Sequence, residues 1–132
     1  MNLYSIDFRH YSPKDSEYGI KTYLIAQDDE AVFDWIANYK GGDEFGIYTS
    51  WLSESNEEVE LYDDDTYKLI GVVSYKQKII YNKGEIGDSS KDFSDVFYGI
   101  TEYGWTLIKE NLSIEETETL LKLNIANYKS LC

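Results

Sequence analysis

The sequence predicts an α+β fold, an antiparallel sheet of about four strands with two short helices on one face. The hydrophobic period changes from two residues to about 3.6 residues along the chain, which indicates strands followed by helices. The motif YGIxxY occurs at 18–23 and again at 98–103, each time shortly before a Leu-Ile pair. The predicted order is therefore strand, strand, helix, an acidic insert, and then strand, strand, helix. A single sheet that buries one face under the helices is the most economical arrangement of these elements.

The first two elements are predicted to be an antiparallel pair of strands. Tyr4, Ile6 and Phe8 alternate with polar residues, which is the period of a half-buried strand. The next segment, 18–26, is rich in β-branched and aromatic residues, as strands are. The segment SPKDSE between them holds the only proline, Pro13, and is typical of a connecting loop.

A helix is predicted over 29–40. Val32 and Ile36 belong to an apolar set with the spacing of one helix face. Asp28 is a favourable N-cap, because its side chain can accept a hydrogen bond from a free backbone N–H group, and Gly41 can end the helix.

The second half repeats the same succession of elements. The segments 66–81 and 96–108 are predicted to be strands, with a turn signal, NKG, between them. Ser113 and Glu116 have the spacing of a capping box, so a second helix should begin there. Asn124, followed by an isoleucine, is typical of a helix that stops in a left-handed conformation.

Length and charge restrict the possible partners. A chain of 132 residues with 42% hydrophobic residues is expected to form a single domain, 1–132. Its net charge is -13, from 12 Lys and Arg against 25 Asp and Glu. Nucleic acids and anionic lipids are polyanions, so direct binding to either is disfavoured and a basic protein is the expected partner. Without a long apolar run or a signal-peptide pattern, the chain is predicted to be cytoplasmic.

Most of the negative charge lies in an acidic, aromatic insert at about 41–67. This segment contains nine carboxylates and no Lys or Arg. Apolar and aromatic residues alternate with the acids, so we expect the segment to dock on the domain and hold its carboxylates outward. The predicted partner-binding residues are the nine acids and three aromatic residues among them: Asp43, Glu44, Tyr48, Trp51, Glu54, Glu57, Glu58, Glu60, Tyr62, Asp63, Asp64 and Asp65.

No pattern in the sequence predicts catalysis, a cofactor or a dedicated metal site. Nucleophilic catalysis needs a nucleophile beside a base, and the only histidine, His10, is far in sequence from the only cysteine, Cys132. The glycines do not form a phosphate-binding motif. The run of three aspartates at 63–65 lacks the spacing of a calcium loop, although loose binding of a divalent cation stays open. We therefore predict that the protein is not an enzyme.

A small, acidic, tyrosine-rich chain with a carboxylate-dense insert resembles the small anti-defence proteins of phages and mobile elements. These include acidic anti-CRISPR and anti-restriction proteins, several of which act as nucleic-acid mimics. The resemblance implies an inhibitor, in the cytoplasm of a bacterial host, that binds the basic nucleic-acid-binding groove of a CRISPR nuclease or restriction enzyme. Two alternatives stay open: a module that sequesters a nucleotide-type small ligand, and an adaptor in which the acidic segment only keeps the protein in solution.

Overall fold

The computed structural model of the chain describes residues 1–11, 17–38, 56–83 and 101–129. Within these ranges the elements are, in chain order, β1 (Asn2–Tyr11), β2 (Glu17–Ala26), α1 (Asp29–Ala37), β3 (Glu58–Tyr62), β4 (Leu69–Ser74), α2 (Tyr75–Tyr81), β5 (Thr101–Lys109), α3 (Ile114–Lys122) and β6 (Asn127–Tyr128). They form a four-stranded main sheet and a separate two-stranded sheet.

Strand β1 lies in the middle of the main sheet. It pairs antiparallel with β2 on one side and with β5 on the other, so Ile6 lies opposite both Thr22 and Trp105. The short strand β6 pairs in parallel with β2, and the strand order is β5-β1-β2-β6. The predicted α+β class, with an antiparallel sheet of about four strands, is confirmed.

One face of the main sheet carries the hydrophobic core. Tyr4, Ile6 and Phe8 of β1 are buried, as their alternation predicted, because successive side chains of a strand point to opposite faces. The other core residues are Leu24 and Ala26 of β2, Val32, Phe33 and Ile36 of α1, Ile79 of α2, and Tyr103 and Trp105 of β5. Helices α1 and α2 therefore cover the same face of the sheet.

Helix α1 begins where the sequence predicts. Asp28 accepts a hydrogen bond from the backbone N–H of Ala31 at 2.9 Å, and Asp29 in the first turn accepts the indole N–H of Trp105 at 2.9 Å. The helix ends at Ala37, with Asn38 as its C-cap, so it is shorter than the predicted 29–40. The bond from Trp105 joins the start of α1 to the main sheet.

The predicted strand over 66–81 is wrong in its second part. Only Leu69–Ser74 is a strand, and the chain continues directly into helix α2. The physical reason is a capping box: Ser74 accepts from the backbone N–H of Gln77 at 3.1 Å, and the Gln77 side chain accepts from the backbone N–H of Ser74 at 3.0 Å. Burial of Ile79 in the core then outweighs the strand preference of the surrounding β-branched and aromatic residues.

The two halves of the chain are not equivalent in the structure. Strand β4 pairs with β3, which lies inside the predicted insert, and β5 pairs with β1. The two YGIxxY motifs also differ in register, because Tyr23 lies opposite Ser5 whereas Tyr103 lies opposite Phe8. The second strand-strand pair implied by the repeat is therefore absent from the described ranges.

Both ends of helix α3 follow the predicted pattern. The Ser113–Glu116 capping box is formed, with the Glu116 N–H donating to the Ser113 hydroxyl at 3.0 Å. At the other end Asn124 is left-handed, with φ of 56°. The backbone N–H groups of Asn124 and Ile125 donate to the carbonyls of Leu121 and Leu120, the bonding of a Schellman motif. No residue of α3 is fully buried, so this helix is less tightly packed than α1.

Candidate functional site

The described part of the acidic insert forms a hairpin with two different faces. Strand β3 alternates: Leu61 is buried and Val59 is half-buried, whereas Glu58 and Glu60 are exposed. The alternation arises because only one face of the two-stranded sheet turns toward the rest of the protein. We call the other side the outer face of the hairpin; it carries Glu58, Glu60 and Tyr62 on β3, and Ile70 and Val72 on β4.

On β4, the outer face is apolar. Val72 lies opposite Glu60 and is 62% exposed, and Ile70 is 51% exposed. Exposed single apolar residues are common, but here they form a row beside a row of carboxylates. The sequence prediction missed Ile70 and Val72 as surface residues, since a run of β-branched residues is typical of a buried strand.

Glu60 and Tyr62 are joined on this face. The Tyr62 hydroxyl donates a hydrogen bond to a Glu60 carboxylate oxygen, which residues two apart on the same side of a strand can reach. This bond, with a smaller contribution from burial, raises the pKa of Tyr62 above its ordinary value of 10.0. The same hydrogen bond orients the Glu60 carboxylate on the outer face.

One of the predicted acids, Asp63, stabilises the turn between β3 and β4. The backbone N–H groups of Asp65 and Thr66 both donate to Asp63 Oδ1 at 2.9 Å. These bonds hold the pKa of the Asp63 carboxyl below its ordinary value of 3.8, and the bond from Thr66 contributes most. Tyr67 closes the turn in a left-handed conformation, with φ of 56°. Asp64 and Asp65 are exposed, whereas Asp63 shapes the turn.

Helix α2 anchors the hairpin to the core. The Lys76 ammonium lies 3.1 Å from a carboxylate oxygen of Asp34 and 3.2 Å from one of Glu30, both on α1. It also lies 5.3 Å from the centre of the Phe33 ring. Partial burial lowers the pKa of Lys76, but the hydrogen bonds to Asp34 and Glu30 outweigh this effect and raise it. The backbone N–H of Tyr75 donates to the carbonyl of Glu57 at 2.7 Å, which joins α2 to the start of β3.

The predicted partner-binding residues divide into two groups. The structure places Glu57, Glu58, Glu60, Tyr62, Asp63, Asp64 and Asp65 in this hairpin. The others, Asp43, Glu44, Tyr48, Trp51 and Glu54, lie outside the described residues. Within the described ranges, no three His, Cys, Asp or Glu side chains are grouped so that they could hold a metal ion, the aspartates of the turn included.

A cavity of about 460 Å³ lies beside helix α3. Its described lining is Leu3, Ile108, Lys109, Leu112, Glu115, Glu116, Thr119 and Leu120. The Lys109 ammonium pairs with the Glu116 carboxylate. This bond, together with the hydrogen bonds to Ser113, lowers the pKa of Glu116 to about 2. The lining is thus apolar with an acidic rim, and its one described cation is already paired.

Comparison with known proteins shows a clear relationship to a prophage protein. The SPbeta prophage-derived uncharacterized protein YoqY of Bacillus subtilis (strain 168) is 35% identical to this chain over 128 residues, which are 96% of this chain and 97% of the relative. No family model matches the chain, and no solved structure matches it. None of the described helices is long and apolar enough to cross a membrane.

Proposed function

The chain belongs to the family of the SPbeta prophage-derived protein YoqY, and from this premise we propose that it is a phage-type, non-enzymatic inhibitor. Its target is the basic nucleic-acid-binding groove of a host defence effector, such as a CRISPR nuclease or a restriction enzyme. Carboxylates of the hairpin take the place of phosphates in that groove. The observation that carries the proposal is the outer face of the hairpin, where Glu58 and Glu60 are exposed in a regular strand.

The regular spacing of its carboxylates distinguishes the hairpin from a disordered acidic tail. Alternate residues of a strand are about 6.7 Å apart, which is comparable with the separation of neighbouring phosphates along a nucleic-acid strand. The hydrogen bond from Tyr62 orients Glu60, and the hydrogen bonds to Asp63 hold the turn that carries Asp64 and Asp65. Charges that are held in place before binding lose less conformational entropy when the partner arrives.

Local charge also favours a basic partner. From Glu57 to Ser74 the hairpin has six carboxylates and one lysine, Lys68. Such a concentration of one sign accelerates association with an oppositely charged groove and makes the complex sensitive to salt. An effector that binds nucleic acid has a surface of this kind, because phosphate binding depends on Lys and Arg.

The nucleotide-sequestering alternative finds less support beside helix α3. Lys109 is the only cation among the described residues that line the cavity, and it is paired with Glu116. Glu115 adds a second carboxylate to the lining. A phosphate group would therefore meet net negative charge there, which disfavours its binding.

A retention experiment with matched variants tests the proposal. The tagged protein is immobilised, incubated with bacterial lysate and washed in steps of rising NaCl. The wild type should retain a basic nucleic-acid-binding protein that elutes over a narrow range of salt. Adding the free chain to the purified target should then reduce the target's binding to nucleic acid.

Two triple variants separate hairpin charge from total charge. The variant with Glu57, Glu58 and Glu60 changed to Gln should lose most of the retention. The control changes Glu110, Glu115 and Glu118 to Gln, which removes the same three charges from the α3 region, and it should bind like the wild type. Equal retention by both variants, or a retained protein that does not bind nucleic acid, would contradict the proposal.

A further inference from the structure

The outer face of the hairpin has two rows of different chemistry. Glu58 and Glu60 lie on β3, and Val72 lies directly opposite Glu60 on β4. Ile70 is two residues from Val72 and is likewise exposed, as is Leu69 opposite Tyr62. One row is therefore anionic and the adjacent row is apolar, about 5 Å away across the strand pair.

Duplex and single-stranded nucleic acids differ in whether they present accessible base faces beside their phosphates. A duplex presents two rows of phosphates and keeps the faces of its bases stacked inside, so a duplex-binding surface meets phosphates and polar base edges. A single strand presents one row of phosphates beside bases whose faces are open. Proteins that bind single strands accordingly combine a basic track with aromatic side chains on which the bases stack.

The apolar row distinguishes between these two kinds of groove. In a duplex-binding groove, Ile70 and Val72 would lie against Lys, Arg and polar side chains and would bury little apolar surface against apolar surface. In a single-strand groove they would lie on its aromatic floor, while Glu58 and Glu60 meet the basic track. Val72 and Ile70 have half or more of their surface exposed, so this contact would remove much apolar area from water.

We propose that the outer face of the hairpin mimics a single strand and docks in a groove that binds single-stranded DNA or RNA. This inference rests on the proposed function and specifies its partner. Strand β3 stands in for the sugar-phosphate backbone and β4 for the bases. The partner has a row of Lys or Arg beside exposed aromatic side chains.

Competitive elution tests this inference. The immobilised protein is loaded with lysate and then eluted with rising concentrations of a 20-nucleotide oligothymidylate or of a 20-base-pair duplex, with both concentrations expressed as phosphate and the ionic strength held constant. The single strand should release the retained target at a concentration at least about tenfold lower than the duplex, because its open bases stack on the aromatic side chains of the groove and those of a duplex do not. Duplex elution at the same or lower concentration would overturn the single-strand inference and leave the proposed function standing. Failure of both nucleic acids to elute any retained protein, or no retention at all, would overturn both.

Variants of the apolar row provide the second measurement. Changing Ile70 and Val72 to Thr keeps β-branched residues in β4 but removes apolar surface. It should weaken binding to the purified target about tenfold, as expected when two apolar contacts with the aromatic floor are lost, without changing the dependence of the dissociation constant on NaCl. The control changes Ile108 and Ile114, which are similarly exposed elsewhere, to Thr and should leave the affinity unchanged. Unaltered affinity after the Ile70 and Val72 changes would overturn the inference.

Discussion

Asp63 shows how one acidic residue differs in role from its sequence neighbours. All three aspartates of the turn have the same side chain, but only the Asp63 carboxylate accepts backbone N–H groups, those of Asp65 and Thr66. Its own N–H donates to the carbonyl of Lys68 at 2.9 Å, so it closes the turn from both sides. Composition alone does not distinguish the acid that shapes the turn from those that are exposed.

Replacing Asp63 by Ala should therefore lower the unfolding midpoint more than replacing Asp65 by Ala. The Asp63 carboxylate has a lowered pKa in the folded state, so the stability it contributes is fully present above its ordinary value of 3.8. That contribution is lost as the pH falls below this value and through the lower folded-state pKa. Thermal unfolding followed by circular dichroism at pH 7 and at decreasing pH measures both effects.

The two variants should differ at pH 7 and converge in acid. Asp65→Ala is the matched control, because it removes the same charge from the same turn without removing these two acceptor bonds. A difference between the variants that persists unchanged below the pH at which Asp63 is protonated would contradict this account of the turn.

Among the secondary-structure elements, the sequence predicted correctly those features that depend on residues close to one another along the chain. The alternation of β1, the N-cap of α1 and both ends of α3 depend on residues within a few positions of one another, and these were predicted correctly, whereas α1 ends at Ala37 and not near Gly41. Pairing of strands is non-local, so the partnership of β5 with β1 could not be deduced from the period of either segment. The repeated YGIxxY motif suggested two equivalent halves, whereas β3 and β4 form a sheet of their own.

Helix α2 was missed for a related reason. Its sequence, Tyr75–Tyr81, contains aromatic and β-branched residues that favour a strand, and seven residues are too few for a clear helical period. The spacing of Ser74 and Gln77 was the one local signal of a helix start. For the site, the acids of β3 and the turn were predicted from composition, but the exposed face of β4 depends on which face of the hairpin packs inward.

The side chain of Lys76, on helix α2, connects the hairpin to helix α1. Changing it to Met should keep the apolar part of the side chain and remove the bonds to Glu30 and Asp34. Those two carboxylates, one helical turn apart, would then repel each other. We expect a loss of about 1 kcal/mol or less in global stability, since partly exposed ion pairs contribute little.

The clearer effect should be local and is measured by hydrogen exchange. Amides of β3 and β4 should exchange faster in Lys76→Met, while those of β1 should keep their protection, because the hairpin would open more often on its own. Lys78→Met is the control, since Lys78 lies on the same helix and outside the cluster with Glu30 and Asp34. Equal acceleration in the hairpin and in β1 would show that Lys76 supports the whole fold and not the hairpin's attachment.

For the whole molecule, the net charge of -13 affects folding and binding in opposite directions. Excess negative charge makes the folded chain repel itself, and salt screens this repulsion. The same charge attracts a basic partner, and salt weakens that attraction. Raising the NaCl concentration should therefore stabilise the free protein and destabilise its complex.

We expect the unfolding midpoint of the free protein to rise as NaCl increases from 10 mM to 300 mM. A gain of about 1 kcal/mol would raise the midpoint by about 4 °C in a chain of this size. The variant with Glu57, Glu58 and Glu60 changed to Gln should gain less, because it removes three of the charges that salt screens. Scanning calorimetry across the salt series measures both, and the Glu110, Glu115 and Glu118 variant shows whether the repulsion is concentrated in the hairpin. If both variants reduce the salt-induced rise of the midpoint equally, the repulsion arises from the total charge and not from the hairpin. If the midpoint falls as NaCl increases, attractive ion pairs such as those of Lys76 outweigh the repulsion.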